Sequence, residues 1–306
     1  MSEALWLESA GLPDEPAGRT LRRLLQETEV LAMPGAHDVM SGLLAKRAGF
    51  RSLYLSGAAL TASMGLPDLG ILTMEELVSA TRRLWRATGL PILVDGDTGY
   101  GEALNVMRLV RELEDAGAAA IQLEDQELPK KCGHLNDKRL VPAEEMAAKI
   151  AAAKRASRDL LVVARTDAAA ESMEAAIERI RLYADAGADV IFPEAMTSRE
   201  RMRQVRAATD LPLLGNMTEF GRTPQLSLAQ WGEVGFDLVI WPVSSLRIAA
   251  KAVEAFYGRL MAEGTAEPML GDMQTRAELY ETIGYFEFEA LDSSIARSVL
   301  PTVEED

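Results

Sequence analysis

The motif DGDTGYG places two carboxylates, Asp95 and Asp97, two residues apart and surrounds them with glycine. Alternate residues of a strand point to the same side, so both carboxylates are expected to face one ligand. Such oxygens suit Mg²⁺, which keeps several waters and takes one or two protein carboxylates plus substrate oxygens. N-capping and turn formation before residues 102–105 would explain the pair without a ligand. Glu124 and Glu194, which end neighbouring apolar runs, favour the metal hypothesis.

Polar side chains also follow the other short apolar runs of the chain. Buried charges are unfavourable unless they are paired or bound to a metal, so we expect a cation and mutual ion pairs among them. Arg165 and Arg247 are interpreted either as clamps for a substrate carboxylate or as structural ion-pair partners. His37 is equally consistent with a hydrogen bond across the site. The full set is His37, Asp38, Ser56, Gly57, Asp95, Asp97, Glu124, Asp125, Arg165, Asp167, Glu194, Asn216, Thr218, Glu219, Ser244, Ser245 and Arg247.

A second motif, KKCGH at residues 130–134, brings together two lysines, the only cysteine and one of the two histidines. One Cys and two His are too few for a zinc site built from these residue types. Cationic neighbours lower the pKa of a thiol, which suits Cys132 to proton transfer near neutral pH. A solvated basic loop with an incidental cysteine is the alternative. The connection over residues 126–141 is long and unpatterned, which is typical of functional lids.

The elements that must position these residues alternate regularly along the chain. Apolar runs rich in Val, Ile and Leu are typical of parallel strands buried on both faces, and the stretches between them have helical spacing. Eight such units predict an α/β fold, a (β/α)8 TIM barrel with its active site at the carboxyl ends of the strands. An open doubly wound sheet is the alternative, but PGAHDVMSG lacks the Gly-rich turn of that fold. The predicted strands are 30–38, 52–58, 91–97, 119–125, 160–167, 189–195, 212–217 and 238–245, and the predicted helices are 40–48, 74–87, 103–116, 143–156, 173–186, 198–208 and 226–234.

Length, charge and composition restrict the class of protein. The formal net charge of the 306 residues is −15, which disfavours nucleic acid and membrane partners. A single cysteine, with neither a signal segment nor an apolar span, predicts a cytoplasmic protein. We expect one domain over 1–306, with the barrel at about 30–262 and a helical tail at about 263–306. Residues 1–18 are predicted to form a loose arm or a cap, and the aromatic tail is expected to pack on a neighbouring subunit.

Several segments resemble known proteins: SLYLSGAALTASMGLPDLG, LVDGDTGYG, LEDQELPKKCGH, VVARTDA, FPEA, NMTEFG and GDMQTRAELYETIGY. In their order and spacing, from about residue 34 to 292, the chain resembles the isocitrate lyase and phosphoenolpyruvate mutase superfamily. The resemblance implies a TIM barrel with an N-terminal arm and a C-terminal helical extension exchanged between the subunits of a homotetramer. The KKCGH loop resembles the lyase branch. Isocitrate lyases are longer, so the resemblance favours the members that act on 2-methylisocitrate.

The resemblance implies Mg²⁺-dependent cleavage of 2-methylisocitrate, a small tricarboxylate, to pyruvate and succinate. Asp95 and Asp97 would hold the metal, directly or through water, and Glu124 would complete its water shell. Tyr54 is the family candidate for the general base, but an unperturbed phenol is a poor base and would need its pKa lowered by the metal and a nearby arginine. A hydroxide held by the metal, or Glu194, is the alternative base.

The remaining roles follow from the same resemblance. Cys132 would protonate the succinyl carbanion, with Gly133 and His134 positioning their loop, and Arg165 would contact the substrate near its reacting hydroxyl. Phe192 stands where isocitrate lyases have a bulkier residue, which leaves room for the extra methyl. Further substrate-binding positions include a backbone cradle of Ser56, Gly57 and Ala58, in which Ala58 stands where the family often has a glycine. The others are Lys130, Asn216, Met217, Thr218, Arg247 and Arg276.

Other activities of the superfamily remain alternatives at this point. They are 2,3-dimethylmalate lyase, oxaloacetate hydrolase and isocitrate lyase activity. Arg247 and Arg276, which would hold a third carboxylate, favour the tricarboxylate. A non-catalytic metabolite-binding barrel is the alternative of another class, and the joint presence of Asp95, Cys132 and Arg165 disfavours it.

Overall fold

The computed structural model describes residues 5–131 and 138–295. Eight strands alternate with helices, and every strand lies inside its predicted apolar run. Each strand ends where the polar residues of the sequence begin, so those residues emerge at one end of the sheet. The strands are β1 (Leu31–Pro34), β2 (Leu53–Leu55), β3 (Ile92–Asp95), β4 (Ala120–Glu124), β5 (Leu161–Thr166), β6 (Val190–Pro193), β7 (Leu214–Asn216) and β8 (Leu238–Trp241).

The strands pair in parallel and close into a ring. Strands β2 to β6 form one sheet in sequence order, and β1, β8 and β7 form the other. Isolated parallel bridges join Gly35 to Tyr54 and Ile191 to Leu213, so that both gaps between the sheets are closed. The predicted (β/α)8 barrel is therefore confirmed, and the open sheet is not the architecture of this chain.

Helices occupy the predicted intervals, and side-chain caps fix several of their ends. Asp38, Thr73 and Ser227 each form a capping box, in which the N-cap residue and the third helical residue satisfy each other's backbone N–H. Sequence analysis missed α3 because its residues, GAALTAS, continue an apolar run, and it also missed α1. Helices α11 and α12 lie within the predicted helical tail at about 263–306. The helices are α1 (Ala17–Glu27), α2 (Val39–Arg47), α3 (Gly57–Ser63), α4 (Met74–Thr88), α5 (Ala103–Asp115), α6 (Ala143–Ala156), α7 (Met173–Asp185), α8 (Arg199–Arg206), α9 (Leu228–Glu233), α10 (Ser244–Glu263), α11 (Arg276–Ile283) and α12 (Tyr285–Ser294), with 3-10 turns at Ala168–Ala170 and Glu267–Asp272.

The apolar core has one part inside the barrel and another between the strands and the outer helices. In the inner part, Leu21 and Leu24 of α1 pack against residues at the amino ends of the strands, such as Leu31 and Leu161. Burying one leucine side chain contributes about 1.5–3 kcal/mol. Helix α1 therefore caps this end of the barrel, but at Ala17–Glu27 it lies almost wholly after the predicted arm, whose described residues 5–16 contain no helix or strand.

The C-terminal helices contrast with the barrel. Helices α10, α11 and α12 contain no buried residue. Helix α11 lies against α2 through an ion pair of 3.1 Å between Arg47 and Glu281, and the rings of Tyr280 and Tyr285 stack with centroids 4.4 Å apart. None of the helices in the described ranges is long and apolar enough to cross a bilayer. The division into barrel and tail, and the exchange of the tail, stay predictions.

Candidate active site

The Asp95–Asp97 pair lies in a tight turn at the carboxyl end of β3. Asp95 is 6% exposed. Its Oδ2 accepts a hydrogen bond from the backbone N–H of Gly57 at 3.1 Å, and its Oδ1 accepts one from Nε2 of Gln122 at 3.1 Å. A Cβ on Gly57 would lie 3.3 Å from an oxygen of each aspartate, so a larger residue would crowd the pair. Glycine at this position permits the close approach of the start of α3 to the two carboxylates.

The predicted backbone cradle lies at the start of α3. Ser56 is the N-cap, and its Oγ accepts a hydrogen bond from the N–H of Ala59 at 3.3 Å. Gly57 and Ala58 are the first two helical residues. Because the N–H of Gly57 already donates to Asp95, this donor is engaged in the structure, and the cradle for a substrate carboxylate stays a prediction.

Asp97 shares a lysine with a carboxylate that sequence analysis did not single out. Nζ of Lys130 lies 2.5 Å from Oδ1 of Asp97 and 2.5 Å from Oδ1 of Asp68. Burial and the charge of Asp95 raise the pKa of Asp97 to about 7, although Lys130 acts to lower it. Burial alone would lower the pKa of Lys130. The nearby carboxylates, chiefly Asp97 and Glu124, together outweigh this effect and raise the pKa above its ordinary value, so the ammonium stays charged.

A second group of charges surrounds Arg165, which is 8% exposed at the end of β5. Its Nη1 lies 3.0 Å from Oε2 of Glu124 and 3.6 Å from Oε2 of Glu194, and its Nε donates to Oδ2 of Asp167 at 3.0 Å. The guanidinium carbon lies 5.3 Å from the ring centre of Phe192. Burial alone would lower the pKa of Arg165, but the three carboxylates together outweigh this effect and hold the pKa well above its ordinary value. Arg165 thus makes structural ion pairs at the predicted place, while its contact with substrate stays a prediction.

This end of the barrel fits a divalent cation. Among the described residues named above, carboxylates outnumber cationic side chains by six to three, which leaves an excess of negative charge. Burial raises the pKa of Glu124 well above its ordinary value, and the positive charges of Arg165 and Lys130 offset this only in part. The carboxylates are Asp68, Asp95, Asp97, Glu124, Asp167 and Glu194, and the cations are Lys130, Lys138 and Arg165.

The ligand set suits Mg²⁺ better than a metal that needs a complete protein cage. Within 5–131 and 138–295, no three Asp, Glu, His or Cys side chains converge as a ready-made metal site. Mg²⁺ needs only one or two carboxylates and completes its octahedron with water and substrate oxygens. Asp95 and Asp97 would hold it directly or through water, and Glu124 would act through water.

Asn216 ends β7 beside Glu194, and Thr218 follows two residues later. Nδ2 of Asn216 donates to Oε2 of Glu194 at 3.2 Å, whereas its Oδ1 is buried and accepts no hydrogen bond from the described residues. An unsatisfied buried acceptor costs about 1–3 kcal/mol, so we expect a ligand hydroxyl or an ordered water there. Thr218 is 8% exposed. Met217 is different, because its side chain belongs to the core and its Sδ accepts the N–H of Leu226.

The surroundings of Tyr54 favour a neutral phenol. Its hydroxyl donates to Oε1 of Gln122 at 2.8 Å. Burial and Asp95 raise the pKa of Tyr54 well above its ordinary value, and Arg165 offsets this only in part. A general base must give up its proton easily, so this geometry lends Tyr54 no support as the base. Glu194 remains the other candidate from the protein, and the identity of the base stays a prediction.

Three predicted residues lie apart from the acidic group. Arg247 is paired with Glu219, at 3.0 Å from its Oε2 and 2.9 Å from its backbone oxygen, as in the structural alternative. Nδ1 of His37 lies 3.1 Å from Oγ of Ser245, which follows the adjacent strand β8, so this hydrogen bond joins neighbouring strand ends and does not cross the barrel. Arg276 is exposed as the first residue of α11, and among the described residues it makes no hydrogen bond or ion pair with the other candidates.

The long connection after β4 is described on both sides of the cysteine motif. The backbone N–H and oxygen of Lys131 bond to the side-chain amide of Gln126 at 2.9 and 2.8 Å. Farther along, Nζ of Lys138 lies 2.5 Å from Oδ1 of Asp167. The three predicted residues of the motif, Cys132, Gly133 and His134, lie outside the described residues, and their roles stay predictions.

Sequence analysis therefore missed Asp68, Gln122 and Lys138. One signal for Gln122 was present, since a glutamine inside an apolar strand buried on both faces needs polar partners. Asp68 and Lys138 lie in irregular segments, where no periodicity indicates which way a side chain points.

Comparison with known proteins places these features in context. A family model described as phosphoenolpyruvate phosphomutase matches residues 21–261. A Bacillus subtilis protein named 2-methylisocitrate lyase is 54% identical over 289 residues, which cover 94% of this chain and 96% of the relative. A Halalkalibacterium halodurans protein of the same name is 53% identical and covers 96% and 99% of the two chains. The similarity therefore extends over nearly the whole chain.

Solved structures of related enzymes match this chain over most of its length. A crystal structure of 2,3-dimethylmalate lyase, described as a PEP mutase/isocitrate lyase superfamily member, matches with a TM-score of 0.87 at 35% identity and covers 96% of this chain and 100% of that chain. A crystal structure of phosphonopyruvate hydrolase in complex with oxalate and Mg²⁺ matches with a TM-score of 0.84 at 30% identity and covers 92% and 100% of the two chains. The barrel and its strand ends are thus shared with enzymes that differ in substrate.

Proposed function

The chain belongs to the phosphoenolpyruvate mutase and isocitrate lyase superfamily, and from this we propose that it is a carbon–carbon lyase that cleaves 2-methylisocitrate to pyruvate and succinate with Mg²⁺. The observation that carries the substrate is the near-full-length similarity to the 2-methylisocitrate lyase of Bacillus subtilis. The buried charge cluster at the carboxyl end of the barrel supports the chemistry.

The cleavage makes three demands on the site. The substrate hydroxyl must lose its proton, and the bond between the hydroxyl-bearing carbon and its neighbour must break, so that the oxygen becomes the carbonyl of pyruvate. The electron pair of that bond stays on the carbon that becomes part of succinate, where it spreads into the adjacent carboxylate until a proton is added. Bound Mg²⁺ would supply a Lewis acid for the carboxylate and hydroxyl oxygens of the pyruvate half.

The protein residues divide these tasks. Asp95 and Asp97 would hold the cation, and Arg165 would present a fixed positive charge to the oxygens on which charge develops. Because Arg165 is held by three buried carboxylates, it needs no reorganisation during the reaction. In this proposal Glu194 takes the hydroxyl proton, and Cys132 gives the proton to the succinyl carbon.

A second candidate is 2,3-dimethylmalate lyase activity. The close fold match to that enzyme favours it, and so does the state of two arginines. Arg247 is occupied by Glu219 and Arg276 is exposed, so neither is seen to offer a third carboxylate site among the described contacts. The preference for the tricarboxylate therefore depends on sequence similarity, with Phe192 lying beneath Arg165 as the residue that would leave room for the methyl group.

A substrate comparison tests the proposal. Purified protein with Mg²⁺ is assayed against 2-methylisocitrate, isocitrate, 2,3-dimethylmalate and oxaloacetate, with pyruvate, glyoxylate, propionate, acetate and oxalate measured as products. We expect kcat/KM for 2-methylisocitrate to exceed the others by at least about tenfold, since a single methylene group changes discrimination by about that factor or more. A higher value for 2,3-dimethylmalate would establish the second candidate instead.

The role of Cys132 has its own test. Cys132→Ser is expected to abolish turnover, because a serine hydroxyl is a far weaker acid than a thiol, and to leave Mg²⁺ binding intact. Mg²⁺ binding is measured by calorimetry and by the rise in Tm on adding the metal. Retained turnover in Cys132→Ser would remove the cysteine from the proposed mechanism.

We also propose that the chain forms a homotetramer through its C-terminal helices, with the tail exchanged between subunits. Val253, Tyr257 and Met261 recur every four residues along α10 and are 47%, 62% and 89% exposed. A contiguous apolar stripe of this kind is unfavourable in water and is typical of a protein interface. Phe286 of α12, 56% exposed, extends the apolar surface of the tail.

A further inference from the structure

A buried polar network lies behind the active site, between the barrel and α7, and takes no direct part in the proposed chemistry. Its centre is Asp125, which follows β4 and is 0% exposed. Oδ2 of Asp125 accepts hydrogen bonds from the hydroxyl of Thr166 at 2.7 Å, from the hydroxyl of Tyr183 at 2.9 Å and from Nη1 of Arg179 at 3.1 Å. Three donors on one oxygen fix the orientation of the whole carboxylate.

The other oxygen of Asp125 reaches the active site. Oδ1 accepts the backbone N–H of Asp167 at 3.0 Å. Asp167 in turn receives Nε of Arg165 at 3.0 Å and Nζ of Lys138 at 2.5 Å. The contacts therefore connect the hydroxyl of Tyr183, through the carboxylate of Asp125 and then the backbone N–H and side chain of Asp167, to the guanidinium of Arg165.

The same network holds the end of the long connection after β4. Nη2 of Arg179 donates to the backbone oxygen of Val141 at 2.9 Å, and the N–H of Val141 donates to the backbone oxygen of Asp125 at 2.9 Å. Nη1 of Arg179 also lies 2.9 Å from the hydroxyl oxygen of Tyr183. Two side chains of α7 thus contact Asp125, which precedes the connection, and one of them, Arg179, also contacts Val141 at its end.

We propose that Asp125, Arg179 and Tyr183 are positioning residues for the lyase reaction, which set the orientation of Arg165 by fixing Asp167 from behind. The inference rests on the proposed function for its consequence in catalysis, but the hydrogen bonds that carry it do not. Arg165 must face two further carboxylates, Glu124 and Glu194, at once. A rotation of Asp167 would therefore change the guanidinium geometry on which charge stabilisation depends.

The chemistry of the three residues suits this role. Burial and the charge of Asp125 raise the pKa of the Tyr183 phenol, so it remains a donor over the whole physiological range. Burial alone would lower the pKa of Arg179, but its contacts with Tyr183 and Asp125 together outweigh this effect and hold the pKa above its ordinary value. Both groups thus keep the protonation state that the network requires.

The decisive variant is Tyr183→Phe, which removes one hydroxyl and keeps the buried ring. We expect kcat/KM to fall by about tenfold, carried mainly by kcat, because outer-shell hydrogen-bond partners typically contribute 10–100-fold. Thr81→Val is the matched control, since its hydroxyl is equally buried but bonds only to the oxygen of Leu77 within α4. The control should lower Tm to a similar extent and leave kcat unchanged.

A double-mutant cycle separates positioning from general stability. If Tyr183 acts through Asp167, then Tyr183→Phe combined with Asp167→Asn lowers kcat no more than Asp167→Asn alone. Additive effects on kcat, or wild-type kinetics for Tyr183→Phe, would overturn the inference. Asp125→Asn and Arg179→Met extend the same test to the other two residues.

A binding measurement keeps the two proposals distinguishable. If the wild-type protein cleaves none of the candidate acids, the proposed function fails, and the variants are compared by calorimetry for binding of oxalate in the presence of Mg²⁺. Weaker oxalate binding in Tyr183→Phe, non-additive with Asp167→Asn, would support the positioning role without any turnover. Unchanged oxalate binding in both variants would then overturn it.

Discussion

The mouth of the barrel, which is the carboxyl end of its strands, and the C-terminal tail depart from the usual distribution of side chains in opposite directions. At the mouth, Glu124, Asp167 and Glu194 are charged residues with only 2%, 2% and 1% of their surface exposed. In the tail, Ile248 and Met261 are apolar residues with 74% and 89% exposed. Buried charges and exposed apolar surfaces are the informative exceptions in a folded protein, because each is unfavourable unless something compensates for it.

The two exceptions indicate two kinds of partner. Charges gathered in a buried cleft require ionic partners, and the excess of carboxylates over Arg165, Lys130 and Lys138 indicates a cation. An exposed apolar stripe requires contact with another apolar surface, which a second copy of the chain offers. The net charge of −15 describes neither region, since it reports the overall surface.

The largest expected effect is the loss of the metal at the mouth. Asp97→Asn should lower kcat/KM by at least about a thousandfold, since the Lewis acid contributes several kcal/mol to the transition state. It should also abolish the stabilisation by Mg²⁺, which at a hundredfold excess over Kd is worth about 2.7 kcal/mol. Activity assays and thermal melts with and without Mg²⁺ measure both effects.

Asp115→Asn is the control for this change. Its side chain is 64% exposed at the end of α5 and pairs only with Arg111. The control should keep both activity and the response to Mg²⁺. If Asp97→Asn behaved like Asp115→Asn, the buried charges of the mouth would have to be explained without a metal.

The next largest effect is expected in the tail. Tyr257→Glu combined with Met261→Glu should dissociate the proposed tetramer, because two charges would be buried in the apolar contact, and should leave the fold of the barrel unchanged. Lys251→Glu changes the net charge by the same amount at a site whose side chain is 82% exposed on the same helix, and it should remain tetrameric. Sedimentation velocity measures both, and a double variant of unchanged mass would contradict the assignment of the stripe to assembly.

The same comparison shows how far sequence predicts structure. The strands and most helices were predictable because apolar residues recur along the chain with the spacing of strands and helices. The alternation of eight strands with helices then predicted the barrel. Asp95, Asp97, Glu124 and Arg165 could be placed at one site because parallel strands end at the same edge. Local patterning determines all of these positions.

Long-range pairing was not predictable. The contact of Asp68 with Lys130, and that of Lys138 with Asp167, join irregular segments whose path depends on the whole fold. Sequence analysis also could not decide between a ligand clamp and an ion pair for Arg247, because that choice depends on where Glu219 lies. The same holds for Tyr54, whose pKa is set by burial that the sequence does not specify in detail.

The smallest effect concerns the free energy of unfolding, which the buried carboxylate of Asp97 lowers when it is charged. Asp97 titrates near 3.8 when unfolded and at about 7 in the folded, metal-free protein, since burial and Asp95 disfavour its charge. The folded state therefore holds this proton more tightly, so its contribution to stability is present below about pH 4 and is lost as the pH rises through 7. A shift of this size corresponds to at most about 4 kcal/mol, or several degrees in Tm. In a chelator, the Tm of wild type relative to Asp97→Asn should fall between pH 4 and 8, and Mg²⁺ should restore wild type alone at pH 8. A pH-independent difference would show that Asp97 is charged in the metal-free fold and that Lys130 already compensates for it.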